Sequence, residues 1–361
     1  MAYEIQGKQH APLPVYPAPN APAPIATVTT VARVFVISLS PGWVQVRLLE
    51  GAAAGTVGWA QAAHVTSVTG DILSSEEELS QLFAALRTAH FTPPMGGPLP
   101  IPYRYPTDGC FARAEIMATM LAASGYQTDK IFAVAAGNGL RLNTPHGGDQ
   151  AGFGERLQVE WWYHVAPLLY VPSGSPKPDP VVMDPSVADG PLSIGDWVGR
   201  MATRPVAPEI AYDQLRQDLA VSKAYPTDRT LVVRAGRTVY APPLATDPSR
   251  TVVGKPADVA LELSRTATLV PAHDVVAGLD QLFRACFTTW SSNQTTRDLP
   301  VPYPAYTAEY NAVLAQIQNL HPELRKYIRT RFPNFFADWH NTVLGSGVEN
   351  DYNNLKIALA V

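Results

Sequence analysis

Three residues in the middle third of this chain have the types and settings that thiol-based hydrolysis needs: Cys110, His164 and Asp184, in that order. Cys110 opens a stretch, Cys110–Ser124, that contains neither Pro nor Gly, is rich in Ala and Met, and runs into Gly125. The pattern predicts a helix with Asp108 as N-cap, Gly125 as the C′ residue and Cys110 in the first turn. A helix start offers unpaired N–H groups and partial positive charge, which favour an anion. The thiolate is the reactive form of cysteine, and such positions lower thiol pKa values. The same N–H groups can hold an oxyanion. Ala114, Met117 and Leu121 give the helix an apolar face, so it is expected to cross the core with its first turn at a cleft. A buried structural cysteine fits this pattern equally well.

Of the eight histidines, His164 alone lies in a strong strand pattern, Leu157–Ala166. Alternation there sets Trp161, Tyr163 and Val165 on one side and Trp162, His164 and Ala166 on the other. A mid-strand histidine among bulky apolar residues needs a polar partner or a task; a core imidazole bonded to backbone is the plain alternative. Val181-Val182-Met183 is a short strand that stops at Asp184-Pro185, since proline cannot continue a central ladder. Residues 172–180 are long enough for a hairpin connection that would bring Asp184 beside His164. In such a set the thiolate attacks an acyl carbon, histidine relays the proton and aspartate fixes the imidazole tautomer. A helix-borne cysteine with histidine and aspartate on adjacent strands resembles the transglutaminase arrangement and, more loosely, papain's.

The elements around these residues separate into three segments. Residues 1–70 read as a small β-barrel. Thr27–Val36 and Trp43–Leu49 are strand-like, Ser40-Pro41-Gly42 is turn chemistry between them, and Gly55 and Gly58 bracket a further strand. The succession Pro14-Val15-Tyr16, Gly42-Trp43-Val44-Gln45-Val46, Gly58-Trp59-Ala60 resembles the bacterial SH3-like module, which implies a peptide or cell-wall ligand; a scaffold role is the alternative. Residues 71–240 form the α+β part. Its first helix has Ser74 or Ser75 as cap and Leu79, Leu82, Phe83 and Leu86 as its apolar stripe. Near its end only Leu231–Arg234 and Thr238–Tyr240 read as strands. Residues 241–258, with Pro242-Pro243, Asp247-Pro248 and Lys255-Pro256, read as a linker. Residues 259–361 read as helical, with helices over Val275–Trp290, Thr307–Leu320, Pro322–Phe332, Asn334–Leu344 and Tyr352–Leu359.

Three stretches also resemble one family. Ile101-Pro102-Tyr103-Arg104-Tyr105-Pro106-Thr107-Asp108-Gly109-Cys110-Phe111-Ala112-Arg113-Ala114 resembles the nucleophile segment of bacterial protein-glutaminases. Trp161-Trp162-Tyr163-His164-Val165-Ala166 resembles their histidine strand, and Met183-Asp184-Pro185-Ser186 their aspartate segment. The resemblance covers roughly residues 95–200. It implies a transglutaminase/papain-like core and a protein-glutamine deamidase that converts glutamine side chains of proteins to glutamate and ammonia. Cys110, His164 and Asp184 map onto its triad. Trp162 and Tyr163 become candidates for the substrate-binding wall along the glutamine stem, with core packing as the alternative. The secreted members are processed from precursors and richer in cysteine, and neither the N-terminal barrel nor the C-terminal helices fall within the resemblance.

Composition sets the remaining bounds. The chain has 361 residues, 46% of them hydrophobic and 16% charged, which suffices for a sizeable core. A net charge of −4 without any Lys/Arg run gives no nucleic-acid footprint. Two cysteines, Cys110 and Cys286, make neither a disulfide framework nor a CxxC metal site, and both read as free thiols. No membrane span, metal or cofactor is expected. The first residues lack a secretory signal pattern, which suggests synthesis in the cytoplasm, with export as an effector without a cleavable signal. Acyl transfer to an amine and cysteine proteolysis share the same triad, and SH3-like modules accompany cell-wall amidases. A binding or scaffold protein with a degenerate triad is the non-enzymatic alternative.

Overall fold

The computed structural model describes residues 2–5, 13–29, 32–49, 51–68, 76–137, 139–143, 158–171, 178–221, 227–240, 256–287, 303–332 and 349–360. These residues form a mixed α+β structure that divides into two compact units. One comprises residues 1–101, 110–140 and 162–263; the other comprises 102–109, 141–161 and 264–361.

In the first unit, strands β1 (Ala2–Ile5), β4 (Ala32–Ser40), β5 (Trp43–Leu48), β6 (Val57–Gln61) and β7 (Val65–Val68) form an antiparallel sheet in the order β6-β5-β4-β1-β7. β2 (Leu13–Val15) and β3 (Ala26–Val28) pair as a separate ribbon. Strand β5 alternates strictly, and Val44, Val46 and Leu48 are buried with Val15, Val34 and Ala60. Burying each valine contributes about 1.5–3 kcal/mol. Among the described residues the expected closed barrel is not formed: β6 and β7 are the two ends of the sheet and do not pair with each other. The outer edge of β6 is taken instead by Tyr16, whose N–H and C=O exchange bonds of 2.8 and 2.7 Å with Trp59. The stretch expected as one strand from Thr27 to Val36 is split between β3 and β4. The strand at Ala2–Ile5 carries no pattern in the sequence strong enough to announce it.

The second sheet of this unit has the order β15-β14-β13-β10-β17-β16. Its members are β10 (Asp129–Val134), β13 (Tyr163–Val171), β14 (Asp179–Val182), β15 (Leu192–Ser193), β16 (Ile210–Ala211) and β17 (Leu231–Gly236). All neighbours are antiparallel except β16 and β17. Helix α2 (Cys110–Ala123) lies against β13 and β10. It ends in the turn anticipated for Gly125, whose φ is 90°. Tyr126 N–H reaches Leu121 O at 3.1 Å and Gly125 N–H reaches Ala122 O at 2.9 Å, which satisfies two of the last carbonyls. Helices α1 (Glu76–Arg87), α3 (Ile194–Gly199) and α4 (Tyr212–Ala220), with the short ribbon of β8 (His90–Phe91) and β9 (Leu99–Pro100), complete the unit; the cap candidates Ser74 and Ser75 lie outside the described residues. Thr238–Tyr240 is not a strand: Val239 O accepts from the buried Lys130 ammonium at 2.9 Å, and the Tyr240 ring lies under it.

The continuous strand expected over Leu157–Ala166 is broken at Trp162. β12 (Gln158–Trp161) pairs only with β11 (Leu140–Asn143), while β13 starts afresh at Tyr163 in the larger sheet. The strict alternation therefore fails, and β13 is buried from His164 through Tyr170, as a strand covered on both faces must be.

The second unit is built on the part of α5 (Pro256–Phe287) from Ser264 onward, with α6 (Tyr303–Asn319), α7 (Pro322–Arg331) and α8 (Glu349–Leu359). Val275, Val276 and Leu279 pack with Tyr306, Val313, Ile317, Ile328, Tyr352 and Leu355. Helix α5 is far longer than its expected span and begins inside the stretch read as linker, with Pro271 inside it. The helix expected at Asn334–Leu344 and the side chain of Cys286 lie outside the described residues. Among the described residues no helix is long and apolar enough to cross a membrane, and no group of three His, Cys, Asp or Glu is gathered to hold a metal ion.

Candidate active site

Cys110 is the first residue of α2, so the cap position falls on Gly109 rather than on Asp108. Asp108 stands one residue further back, where its Oδ1 accepts the Gly109 N–H at 2.7 Å. The Cys110 side chain is 7% exposed and packs with Ala114, Phe132, Val134 and Val165. Its surroundings are thus largely apolar, and the thiol lies near enough to the His164 imidazole to contribute to raising its pKa.

His164 is the second residue of β13, paired opposite Ala133 of the neighbouring central strand. The hairpin from β13 to β14 forms as the sequence suggested, with Leu168 opposite Val182. It carries Asp184 back alongside His164, and His164 Nε2 meets Asp184 Oδ2 at 2.8 Å with both side chains buried. Nε2 is thus bonded to the carboxylate, and Nδ1 is the ring nitrogen on the side away from it.

The carboxylate is saturated with donors. Its Oδ1 accepts the Ser186 N–H at 3.2 Å and the Ser186 hydroxyl at 2.5 Å; its Oδ2 also accepts the Trp197 indole N–H at 2.9 Å. Burial alone would push the Asp184 pKa up. The imidazolium beside it, then the bonds from His164, Ser186 and Trp197, outweigh burial and hold the pKa below its ordinary value. Burial likewise pushes His164 down, but the Asp184 charge and hydrogen bond, with a smaller share from Cys110, carry it up to about 9. The two shifts agree: the pair is an ion pair in the folded protein.

Sequence reasoning brought Cys110, His164 and Asp184 forward, and the fold gathers all three. It missed Trp197 and Ser186. Trp197 sits in α3, fully buried, and its ring stacks on His164 at 5.8 Å between centroids. The signal for α3 was present as Ser193-Ile194-Gly195-Asp196, a capping pattern in which Ser193 Oγ accepts the Asp196 N–H at 3.1 Å. The suggested wall residues are placed at the strand break. Trp162 and Tyr163 meet ring to ring at 4.4 Å, half-buried, against the apolar cluster that holds Cys110.

Two outcomes follow from this geometry. The imidazolium contributes to stability fully below its unfolded pKa of about 6.5, and that contribution is lost as pH rises through about 9; it is on the order of 3 kcal/mol. Asp184, with a lowered pKa, stabilises above about 3.8 and loses that contribution as pH falls. The plateau therefore lies between about pH 4 and 6.5. Urea unfolding at pH 6 and pH 9.5 should show this loss in the wild type and much less of it in His164→Asn; equal losses in both would refute the ion pair. Trp197→Phe keeps the apolar ring and deletes one bond to a charged acceptor. It should cost about 1.5–3 kcal/mol in unfolding free energy and lower the pH at which His164 titrates by NMR. An unmoved titration would mean that Trp197 does not support the carboxylate.

Comparison with known proteins finds similarity over part of the chain. Residues 79–201 match a family model described as glutaminase. Among solved structures, a crystal structure of protein-glutaminase is 21% identical, covering 58% of this chain and 90% of its own, with a TM-score of 0.34. An NMR structure of protein-glutaminase from Chryseobacterium proteolyticum is 20% identical over 57% and 90%, with a TM-score of 0.33. A crystal structure of pro-protein-glutaminase is 18% identical over 58% and 82%, also with a TM-score of 0.33. No curated protein sequence matches.

Proposed function

We propose, from the glutaminase-family match of residues 79–201 and the buried His164–Asp184 hydrogen bond beside Cys110, that this segment deamidates glutamine side chains in proteins. The observation that carries the reading is an imidazole bonded to a buried carboxylate beside a cysteine at a helix start. An amide is a poor acyl donor, so its hydrolysis needs a strong nucleophile and a proton for the departing nitrogen. The Cys110 thiolate attacks the carboxamide carbon, and backbone N–H groups at the start of α2 hold the oxyanion. His164 passes its proton to the leaving nitrogen, the carbon–nitrogen bond breaks, and ammonia departs from a thioester. His164 then takes a proton from water, which attacks the thioester carbon. The carbon–sulfur bond breaks, leaving glutamate and the thiolate. Asp184 stays ionised throughout and keeps the proton-exchanging nitrogen aimed at sulfur. Trp162 and Tyr163 supply an apolar wall for the two methylenes of the glutamine stem. No step needs a cofactor.

On the transglutaminase/papain-like core this reading implies, acyl transfer, proteolysis and cell-wall amide cleavage would share the thioester and differ in what enters or leaves. Intact-mass analysis of glutamine-bearing proteins separates them. A gain of about one dalton per site with ammonia release is expected, because water takes over the acyl group. A cross-link, a new chain terminus or peptide released from peptidoglycan would each replace deamidation by the corresponding reaction. The N-terminal sheet carries the partly exposed pair Tyr16 and Trp43, edge to face at 5.6 Å, a surface suited to an SH3-like role toward a peptide or cell-wall ligand. Export as an effector after cytoplasmic synthesis belongs to the same proposal.

A further inference from the structure

We infer that Lys130 of β10, acting through Glu115 of α2, is a positioning residue for Cys110: the buried ion pair fixes how the nucleophile helix is seated on the sheet that carries His164. The inference deepens the reading of Cys110 as nucleophile and rests on it. Lys130 is 1% exposed and Glu115 13%. The ammonium donates to Glu115 Oε2 and, at 2.9 Å, to the Val239 carbonyl, and it lies 4.8 Å from the centre of the Tyr240 ring. Glu115 Oε1 accepts from the Thr119 hydroxyl at 3.3 Å and from the Tyr240 hydroxyl at 3.5 Å. All these groups belong to the unit that holds Cys110, His164 and Asp184.

Lys130 is tied to the histidine through backbone. β10 pairs with β13 in a continuous ladder from Asp129 opposite Leu168 to Val134 opposite Tyr163, with Lys130 opposite Pro167 and Ala133 opposite His164. Glu115 is tied to the cysteine through the helix, about 7.5 Å along its axis from Cys110. Apart from Arg113, the buried side chains of α2 beyond Cys110 are Ala112, Ala114, Met117, Ala118 and Leu121. Apolar burial is non-directional, so it opposes lifting the helix off the sheet more than sliding or turning it there. A hydrogen-bonded ion pair has one length and one direction, and fixing a register is the best-attested use of a buried polar pair.

Stability and orientation make different demands on this pair. Taking an ammonium and a carboxylate out of water is costly, so replacing both by apolar side chains of similar size is often neutral or stabilising, whereas removing one charge alone destabilises. Burial pulls the Lys130 pKa down and Glu115 opposes that fall, so the ammonium depends on its carboxylate. Orientation needs the bond rather than the charges, since an amide at position 115 still accepts from Lys130. A misplacement of about 1 Å at the sulfur is enough to lower the rate by about 10²-fold.

The test uses the full chain with the double substitution Lys130→Met, Glu115→Leu and with the single substitution Glu115→Gln. Readouts are ammonia release from a glutamine-bearing protein, thermal unfolding, and the pH dependence of iodoacetamide alkylation at Cys110, followed by peptide mass. The double variant should unfold at or above the wild-type Tm, with kcat lowered about tenfold and KM within about twofold. Its alkylation midpoint should move to higher pH, because the thiolate is no longer held near the imidazolium. Glu115→Gln should show the opposite pattern: a lower Tm, most of kcat kept and an unmoved alkylation midpoint. Wild-type kcat and alkylation midpoint in the double variant, or a kcat that follows Tm through both variants, would overturn the positioning role. The alkylation midpoint needs no turnover, so it decides the inference even where the wild type releases no ammonia, a result that would overturn the deamidase reading instead.

Discussion

Replacing Cys110 by alanine should abolish ammonia release from glutamine-bearing proteins, a loss of at least about 10⁴-fold, because no thioester can form. The imidazole and carboxylate would remain, but they could act only as a base on water toward an amide that has not been activated. The loss would not come from unfolding. Cys110 sits at the first position of α2, where no intrahelical bond depends on its side chain. Truncating a small side chain at a site that retains 7% exposure costs about 1 kcal/mol. The ion pair of His164 with Asp184 does not need the sulfur, since Asp184 contributes more to the imidazolium than Cys110 does. The variant should thus unfold near the wild-type temperature while producing no mass gain in its substrate. Retained deamidation would remove Cys110 from the chemistry altogether.

Much of this site was legible because its residues sit at element ends, where local chemistry writes a signature. Gly125 announced the end of α2, and its paired carbonyl bonds are the physical cause. Pro185 stopped β14 and left Asp184 free to turn its carboxyl back along β13. Trp197 was hidden because its partner is set by tertiary packing: nothing local to a short helix says that its indole will meet a carboxylate thirteen residues away. The break at Trp162 was hidden for a similar reason, since two β-forming stretches in a row read as one strand until pairing assigns them to different sheets. The barrel was misread because pattern gives strands but not closure, which depends on which edges find partners. The span of α5 failed on punctuation: Pro256 reads as a linker residue and stands at a helix start, where its missing N–H costs nothing.

Asp184→Asn should retain the fold and lower turnover by about 10²–10⁴-fold, with the alkaline limb of kcat/KM moved to lower pH. The wild-type carboxylate receives Ser186 N–H and O–H on Oδ1 and the Trp197 N–H on Oδ2, where it also meets His164 Nε2. An asparagine can present its oxygen to only one side. Turned toward Trp197 and His164, it keeps two bonds, loses the charge, and sets its NH₂ against the Ser186 N–H. Turned the other way, the NH₂ opposes the indole N–H and donates to Nε2. That drives the imidazole proton to Nδ1, the nitrogen that exchanges with the thiol in the proposed mechanism. Either arrangement removes the counter-charge that raises His164 to about 9, leaving burial, which pulls the imidazole pKa down. The imidazolium that protonates the leaving nitrogen is then scarce at neutral pH, and the alkaline limb follows it. Breaking a buried ion pair at one end should also cost about 3 kcal/mol or more in unfolding free energy, a loss that urea titration reads independently of turnover. Near wild-type kcat with an unmoved alkaline limb would mean that Asp184 holds the fold but does not orient the histidine.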